Sequence, residues 1–397
     1  MVVFVISQEV YNMKMLVFVT CVLFAWPLFS YSQTDVSNAE SGRYTSSFNP
    51  DISLIIGGEY KSRTGEKDTE PFGYEAELFI TSNVDPYFKA WATLGFADEG
   101  AEVEEAVIQT TSLPYQLQMK AGKFFSDIGR VNSQHFHSWD FANRPLINEL
   151  LFGAEGLNDA GIQVSWLAPA DSYWLTGIEI FQGENEDSFQ YIGGSSLPEK
   201  SGPRVFAGWL KFAPELEDVN SAVQFGVSFG RGIHQEALDS DADNSFDLWL
   251  NGYSWFTGAD IVYKYDDGRA YGLGDITVQG EFFMRGQDLF VVNDILYPGL
   301  TGADVEDNLN GYYIQASYGF LPRWSAGLRW DQVNGESGAT GDIYNIAASV
   351  GCRLSEFSLL RFQYETGRYD TGDESENVSG ISLQIQVSLG AHGAHKF

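Results

Sequence analysis

The chain is poor in cysteine, in basic residues and in long apolar runs. Two cysteines, Cys21 and Cys352, among 397 residues are too few for a disulfide framework or a thiolate zinc cluster. Lys and Arg number 23 against 54 Asp and Glu, a net charge of -31. That balance excludes a general nucleic-acid binder, because phosphate affinity needs clustered cations. Past the N-terminal region no stretch approaches about 18 consecutive apolar residues, so no helix is expected to span a membrane. What is abundant is equally telling: 42 Gly against 12 Pro, with 29 Phe, 20 Tyr and 10 Trp. A 44% hydrophobic, 15% aromatic chain is too apolar for acidic disorder, and this mixture suits many short strands joined by tight turns.

The N-terminus indicates the compartment. Lys14 is followed by an apolar run, residues 16 to 29, and then by Ser30-Tyr31-Ser32-Gln33. The order and length are those of a secretory signal peptide, too short for a spanning helix. Residues 1–32 are therefore expected to be removed, and the polar segment 33–48 to be a periplasmic leader.

From residue 49 onward the sequence alternates. Ile381, Leu383, Ile385, Val387 and Leu389 are interleaved with Ser382, Gln384, Gln386 and Ser388, and Ile276, Val278, Phe282 and Met284 stand against Thr277, Gln279, Glu281 and Arg285. A period of two over such lengths makes strands with one apolar and one polar face. Short, mostly Pro-marked turns, such as Asp85-Pro86 and Leu321-Pro322, take turns with longer polar segments near 61–73, 125–158, 184–203, 232–251, 286–308, 333–341 and 369–378. The layout predicts an all-β, transmembrane antiparallel β-barrel of about sixteen strands (roughly 14–18), porin-like, over residues 49–397 in the outer membrane of a Gram-negative bacterium. A soluble sandwich would not gather every long loop at one end. Phe397 shares the parity of Leu389, as a terminal sorting signal read by the barrel assembly machinery would.

The segment 125–158 is the longest loop and the one rich in aromatics and histidine. Such composition predicts packing inside the barrel, since an exposed loop gains nothing from Phe136, Trp139, Phe141 and Leu146. Its candidate constriction residues are Arg130, His135, His137, Trp139 and Asp140. The polar strand faces offer Lys120, Lys211, Arg285, Arg323, Arg329, Glu281 and Asp331 as candidate pore-lining residues. Four of the five histidines form close pairs, so His135 and His137 with Asp140, and separately His392 and His395, are candidates for a divalent metal. Each set alone falls short of a complete zinc site, and Asp239-Ser240-Asp241-Ala242-Asp243 lacks the spacing of a calcium loop. The expectation is thus no resident cofactor, with Zn²⁺ or Ca²⁺ as the ions to consider.

The segments 184–203, 232–251, 286–308 and 369–378 carry eighteen acids against one base, Lys200, or 17 of the 31 net negative charges. Acids at the mouth over a lumen of mixed sign favour cations and neutral solutes, or they hold Ca²⁺ and Mg²⁺ that bridge lipopolysaccharide. Trp91, Trp166, Tyr173, Trp174, Tyr312, Tyr313, Trp324 and Trp330 are expected in interfacial girdles against membrane lipid. No nucleophile elbow, phosphate loop or zinc-protease helix occurs, so no enzyme is expected. A homo-trimer is one assembly open to such a barrel, and no apolar patch marks a subunit-facing wall. The expected function is passive diffusion of small hydrophilic solutes or ions. The alternatives are uptake of zinc or another divalent metal, and a non-conducting surface-binding barrel.

Several motifs carry a resemblance: Phe48-Asn49-Pro50-Asp51-Ile52-Ser53, Val103-Glu104-Glu105-Ala106, Lys120-Ala121-Gly122-Lys123-Phe124-Phe125, the stretch from His135 to Phe141, and the terminal Ser388 to Phe397. On these the chain resembles a family of bacterial outer-membrane proteins labelled zinc-regulated TonB-dependent outer-membrane receptors. The resemblance implies metal import and energy coupling. About 365 residues after cleavage are too few for a roughly 22-stranded barrel with its plug, so the expected form is porin-like and plugless.

Overall fold

A strand with one apolar and one polar face buries neither by itself, and its unpaired edges invite aggregation. Closing the sheet removes the edges, and lipid takes the apolar face. The computed structural model describes residues 50–64, 71–97, 100–184, 188–193, 197–216, 220–239, 246–335, 342–370 and 375–390, all within the compact unit Ser47–Phe397. Sixteen strands follow in order: β1 (Asp51–Arg63), β2 (Phe72–Asn83), β3 (Phe88–Ala97), β4 (Gly100–Thr110), β5 (Leu117–Phe125), β6 (Asn158–Leu167), β7 (Tyr173–Phe181), β8 (Val205–Ala213), β9 (Ser221–Leu238), β10 (Leu248–Tyr265), β11 (Ile276–Asp294), β12 (Asp304–Leu321), β13 (Trp324–Gly335), β14 (Ile343–Ser355), β15 (Ser358–Asp370) and β16 (Ser375–Gly390). Each pairs antiparallel with its chain neighbours, and β1 pairs with β16, so the barrel is closed. The expected signal peptide and leader, His392, His395 and Phe397 lie outside the described residues.

Period-two alternation holds along the wall. Val227, Phe229, Ile261, Ile314, Leu328 and Ile385 project outward and are exposed, while Ser228, Asp260, Gln315, Arg329 and Gln386 of the same strands are buried inside. So much contiguous exposed apolar surface is suited only to lipid. Among the described residues no helix is long and apolar enough to cross a membrane, and the strands are the crossing elements.

The strand lengths correct the expected loops. About ten tilted residues cross a bilayer, which β5 to β8 just satisfy, whereas β9 to β12 have 18, 18, 19 and 18 residues. Much of 232–251 and 286–308 is therefore strand, and Glu236, Asp288, Asp294, Asp304, Glu306 and Asp307 sit on strand ends rather than in loops. Leu250, Leu289 and Val291 give this projecting wall its own small apolar core. β3 and β4 pair as far as Ala97 and Gly100, so only two residues separate them, where the other connections at that end are longer.

The lumen also departs from a purely polar lining. Trp209, Phe256, Phe283, Leu309, Tyr313 and Val333 all point inward and are buried. Tyr313 thus belongs to the interior, and Trp91 and Tyr173 line the lumen cavity, not a girdle. The inward apolar residues cover residues 126–157, which connect β5 to β6 and enter the barrel. Among the described residues there is no plug domain, and this inner loop occupies the lumen.

Candidate functional site

The inner loop is tied at its base. Ser126 N donates to Leu157 O at 2.9 Å. Asn132 Nδ2 donates to Ser126 O and Leu157 O at 2.9 and 3.1 Å, and Leu157 N returns a bond to Asn132 Oδ1 at 2.8 Å. One buried amide side chain thereby pairs Ser126 O and Leu157 N and gives Leu157 O a second bond. Ile128, Val131, Phe141, Leu146, Ile147, Leu151, Phe152 and Leu157 are all buried. A short helix, α1 (Leu146–Phe152), presents Ile147 and Phe152 to the inward apolar residues of β10 to β13. Phe152 meets Phe256 and Phe283 edge-on, with ring centroids 5.1 and 5.3 Å apart. Full burial of such side chains contributes about 1.5–3 kcal/mol each, enough to hold a loop of this length inside.

Charged wall residues fix the path of the loop. Glu179 accepts bonds from Asp127 N at 3.0 Å and Trp209 Nε1 at 2.9 Å, and Ser126 Oγ donates to the same carboxylate. Glu281 accepts from Val131 N at 2.9 Å and from Tyr313 at 2.8 Å. Lys211 bridges Asp260, at 2.9 Å, to Gly129 O. Lys120 pairs with Asp127 at 3.1 Å. Across the lumen, Arg361 donates to Phe141 O at 3.0 Å and to Trp139 O. Arg329 donates to Asn143 O and Oδ1 at 2.8 and 2.9 Å and to Asp331 at 2.8 Å, while Asp331 Oδ1 accepts from Leu146 N at 3.1 Å. The loop therefore spans the barrel from wall to wall.

Beneath it lies a chamber of about 880 Å³, lined by loop residues Arg130, His135, His137, Trp139 and Asp140 and by wall residues including Lys89, Lys120, Lys211, Lys264, Arg329 and Arg353. Among the charged lining residues, bases outnumber acids, the latter being Glu77, Glu105, Asp127 and Asp140. The mouth is acidic and the chamber basic, a reversal hidden by the net charge. Burial lowers the pKa of Arg130, opposed by the nearby Tyr313, Glu281, Asp260 and Asp140 charges.

The structure distributes the sequence candidates as follows. Arg130, His135, His137, Trp139 and Asp140 stand on the loop at the chamber. Lys120, Lys211, Arg329, Glu281 and Asp331 face inward, but their polar groups are engaged in holding the loop. Arg285 also faces inward and pairs with Asp307 at 2.8 Å. Arg323 does not line the lumen: it sits at a short turn with a left-handed backbone (φ 71°), exposed, stacked over Tyr271 and bonded to Leu354 O. Asp140 is not part of the histidine cluster. His135 instead meets Glu104 through Nδ1 at 3.1 Å, Glu77 at 3.2 Å, and Glu105 through Nε2 at 3.2 Å. His137 Nε2 reaches the other Glu77 oxygen at 3.5 Å. Burial opposes charge on His135, but the carboxylates of Glu104, Glu105 and Glu77 outweigh it and hold its pKa well above the ordinary value.

Sequence reasoning missed these three glutamates as a group. Glu77 was legible as a polar-face residue. Glu104 and Glu105 are adjacent, and strict alternation would send them to opposite faces. A β-bulge intervenes: Thr93 pairs with Glu105 and Leu94 with Val103. Glu104 is the extra residue, so both carboxylates face the lumen.

No protein-family model matches the chain. An uncharacterized protein of Aquifex aeolicus (strain VF5) is 32% identical over 356 residues, covering 86% of this chain and 73% of that protein. Solved structures of similar fold include OmpT, an outer membrane protein of Vibrio cholerae (13% identity, TM-score 0.54, 86% of this chain and 97% of that one). The anion-selective porin from Comamonas acidovorans (11%, 0.56, 86% and 99%) and the outer membrane channel DcaP of Acinetobacter baumannii (12%, 0.54, 86% and 96%) share it as well. A closed sixteen-strand barrel with an apolar outer wall is an outer-membrane barrel, and at 32% identity the chain belongs to the family of the Aquifex aeolicus protein.

Proposed function

We propose that the barrel is a porin-like channel for passive diffusion of small hydrophilic solutes, with the inner loop as its constriction. The carrying observation is the charged chamber of about 880 Å³ under a loop that is latched to opposite walls. Charged side chains around a confined aqueous space select by size and by field. A solute entering from the mouth meets acids first and bases next, so an ion of either sign crosses one unfavourable region. Neutral and zwitterionic solutes cross neither at a cost, and they are the substrates this charge order favours. The reading assigns no catalytic residue and needs no energy coupling.

Liposome swelling tests it. Purified protein in vesicles should admit small sugars and zwitterionic amino acids at rates that fall steeply with solute size. Vesicles that swell no faster than protein-free ones would contradict the proposal.

A further inference from the structure

The strongest arrangement left unused by a channel is the cluster where the inner loop meets β2 and β4. One ligand atom from each of Glu77, Glu104 and His135 lies within 4.8 Å of the others, and Nδ1 of His135 is 3.1 and 3.2 Å from the Glu104 and Glu77 oxygens. Ligands about 2.0–2.1 Å from a tetrahedral zinc ion stand roughly 3.3 Å apart, so Nδ1 of His135 already has nearly the required separation from each carboxylate. Glu77 is 2% exposed, and its Oε2, aimed into the cluster, meets Nδ1 of His135 at 3.2 Å without hydrogen-bond geometry. A buried carboxylate oxygen left in that condition is costly unless a cation completes it.

The orientation of the imidazole supplies a separate argument. A metal-bound histidine normally donates its second ring N–H to a carboxylate, which fixes the tautomer. Nε2 of His135 faces Glu105 at 3.2 Å while Nδ1 faces the other two glutamates. His137 stacks on His135, with ring centroids 5.8 Å apart and planes 10° from parallel, and its Nε2 approaches the remaining Glu77 oxygen.

We propose that Glu77, Glu104 and Nδ1 of His135 bind a divalent transition-metal ion of the zinc type, with Glu105 positioning the imidazole, and that this ion latches the inner loop to the wall. Two carboxylates and a neutral imidazole neutralise the ion, and the mixed nitrogen and oxygen donors suit zinc better than calcium. The site involves none of the residues that pair Arg361, Arg329 or Lys211 with the loop. It does not depend on whether the barrel conducts, because binding is measured on the folded protein alone.

The test is titration of the refolded, metal-free chain in detergent with Zn²⁺ alone, with folding of every variant checked by heat-modifiable migration. Binding should be lost on His135→Ala or Glu104→Gln, should weaken about 10–100-fold on Glu105→Gln, and should be unchanged on Asp140→Asn. Zinc-edge X-ray absorption of the unmodified chain provides an independent measurement should a variant fail to fold. It should show imidazole and carboxylate donors at about 2.0–2.1 Å. Absence of binding to the folded chain, unchanged titration of folded His135→Ala, or a spectrum without imidazole would each overturn the proposal.

Discussion

Between Thr93 and Leu94 the β3–β4 register slips by one residue, and Glu104 and Glu105 come to face the same side. No periodicity rule reads that event from the sequence, because the bulge is set by pairing with another strand. Gly122 is of the opposite kind. Its φ of +127° and its close approach to the Ala106 carbonyl leave no room for a Cβ, which gives the Lys120-Ala121-Gly122-Lys123 motif a physical reason. Arg329 and Asp331, with side chains 1% and 0% exposed, illustrate how a residue type can be legible while its role is not. Both were recognisable as lumen-facing charges, yet their partners lie nearly two hundred positions away in the loop. Removing one member strands the other in a dry site, at a cost of about 3–5 kcal/mol. Arg329→Met should therefore lower the urea midpoint of unfolding from lipid vesicles, followed by tryptophan fluorescence, more than the paired Arg329→Met and Asp331→Leu change does. A single variant as stable as the double would show that the pair is not desolvated as described.

At the scale of elements, strand count and order were readable because lipid enforces alternation on every crossing. Strand length was not. The acidic stretches 286–308 and 232–251 look like loops by composition, but Leu250, Leu289 and Val291 pack together and β9 to β12 run on through them. The inner loop announced itself through its apolar content. What covers it was visible only as breaks in alternation, at Phe256, Phe283 and Val333, whose parity points them inward. The packing of α1 against those residues carries a prediction. Phe152→Ala removes a fully buried ring between Phe256 and Phe283, with an expected cost of about 3–5 kcal/mol. Proteolysis should then cut within residues 126–157 at protease concentrations that leave the parent chain intact. Equal resistance would mean that the helix does not anchor the loop.

As a whole, the unit Ser47–Phe397 is a lipid-facing cylinder with an unusual interior: an apolar layer where the loop is packed, and a basic chamber below an acidic rim. Net charge reported the rim, since the four acidic segments carry 17 of the 31 net negative charges against seven bases lining the chamber. In the proposed channel the loop is the element that narrows the lumen, and single-channel recording in planar bilayers tests this most directly. The unmodified chain should give discrete current steps, and a chain with residues 134–155 replaced by a short Gly-Ser link, which retains Asn132 and Leu157 at the loop base, should give steps severalfold larger. Silence from the folded unmodified chain, or an unchanged step size once the loop is removed, would contradict the account.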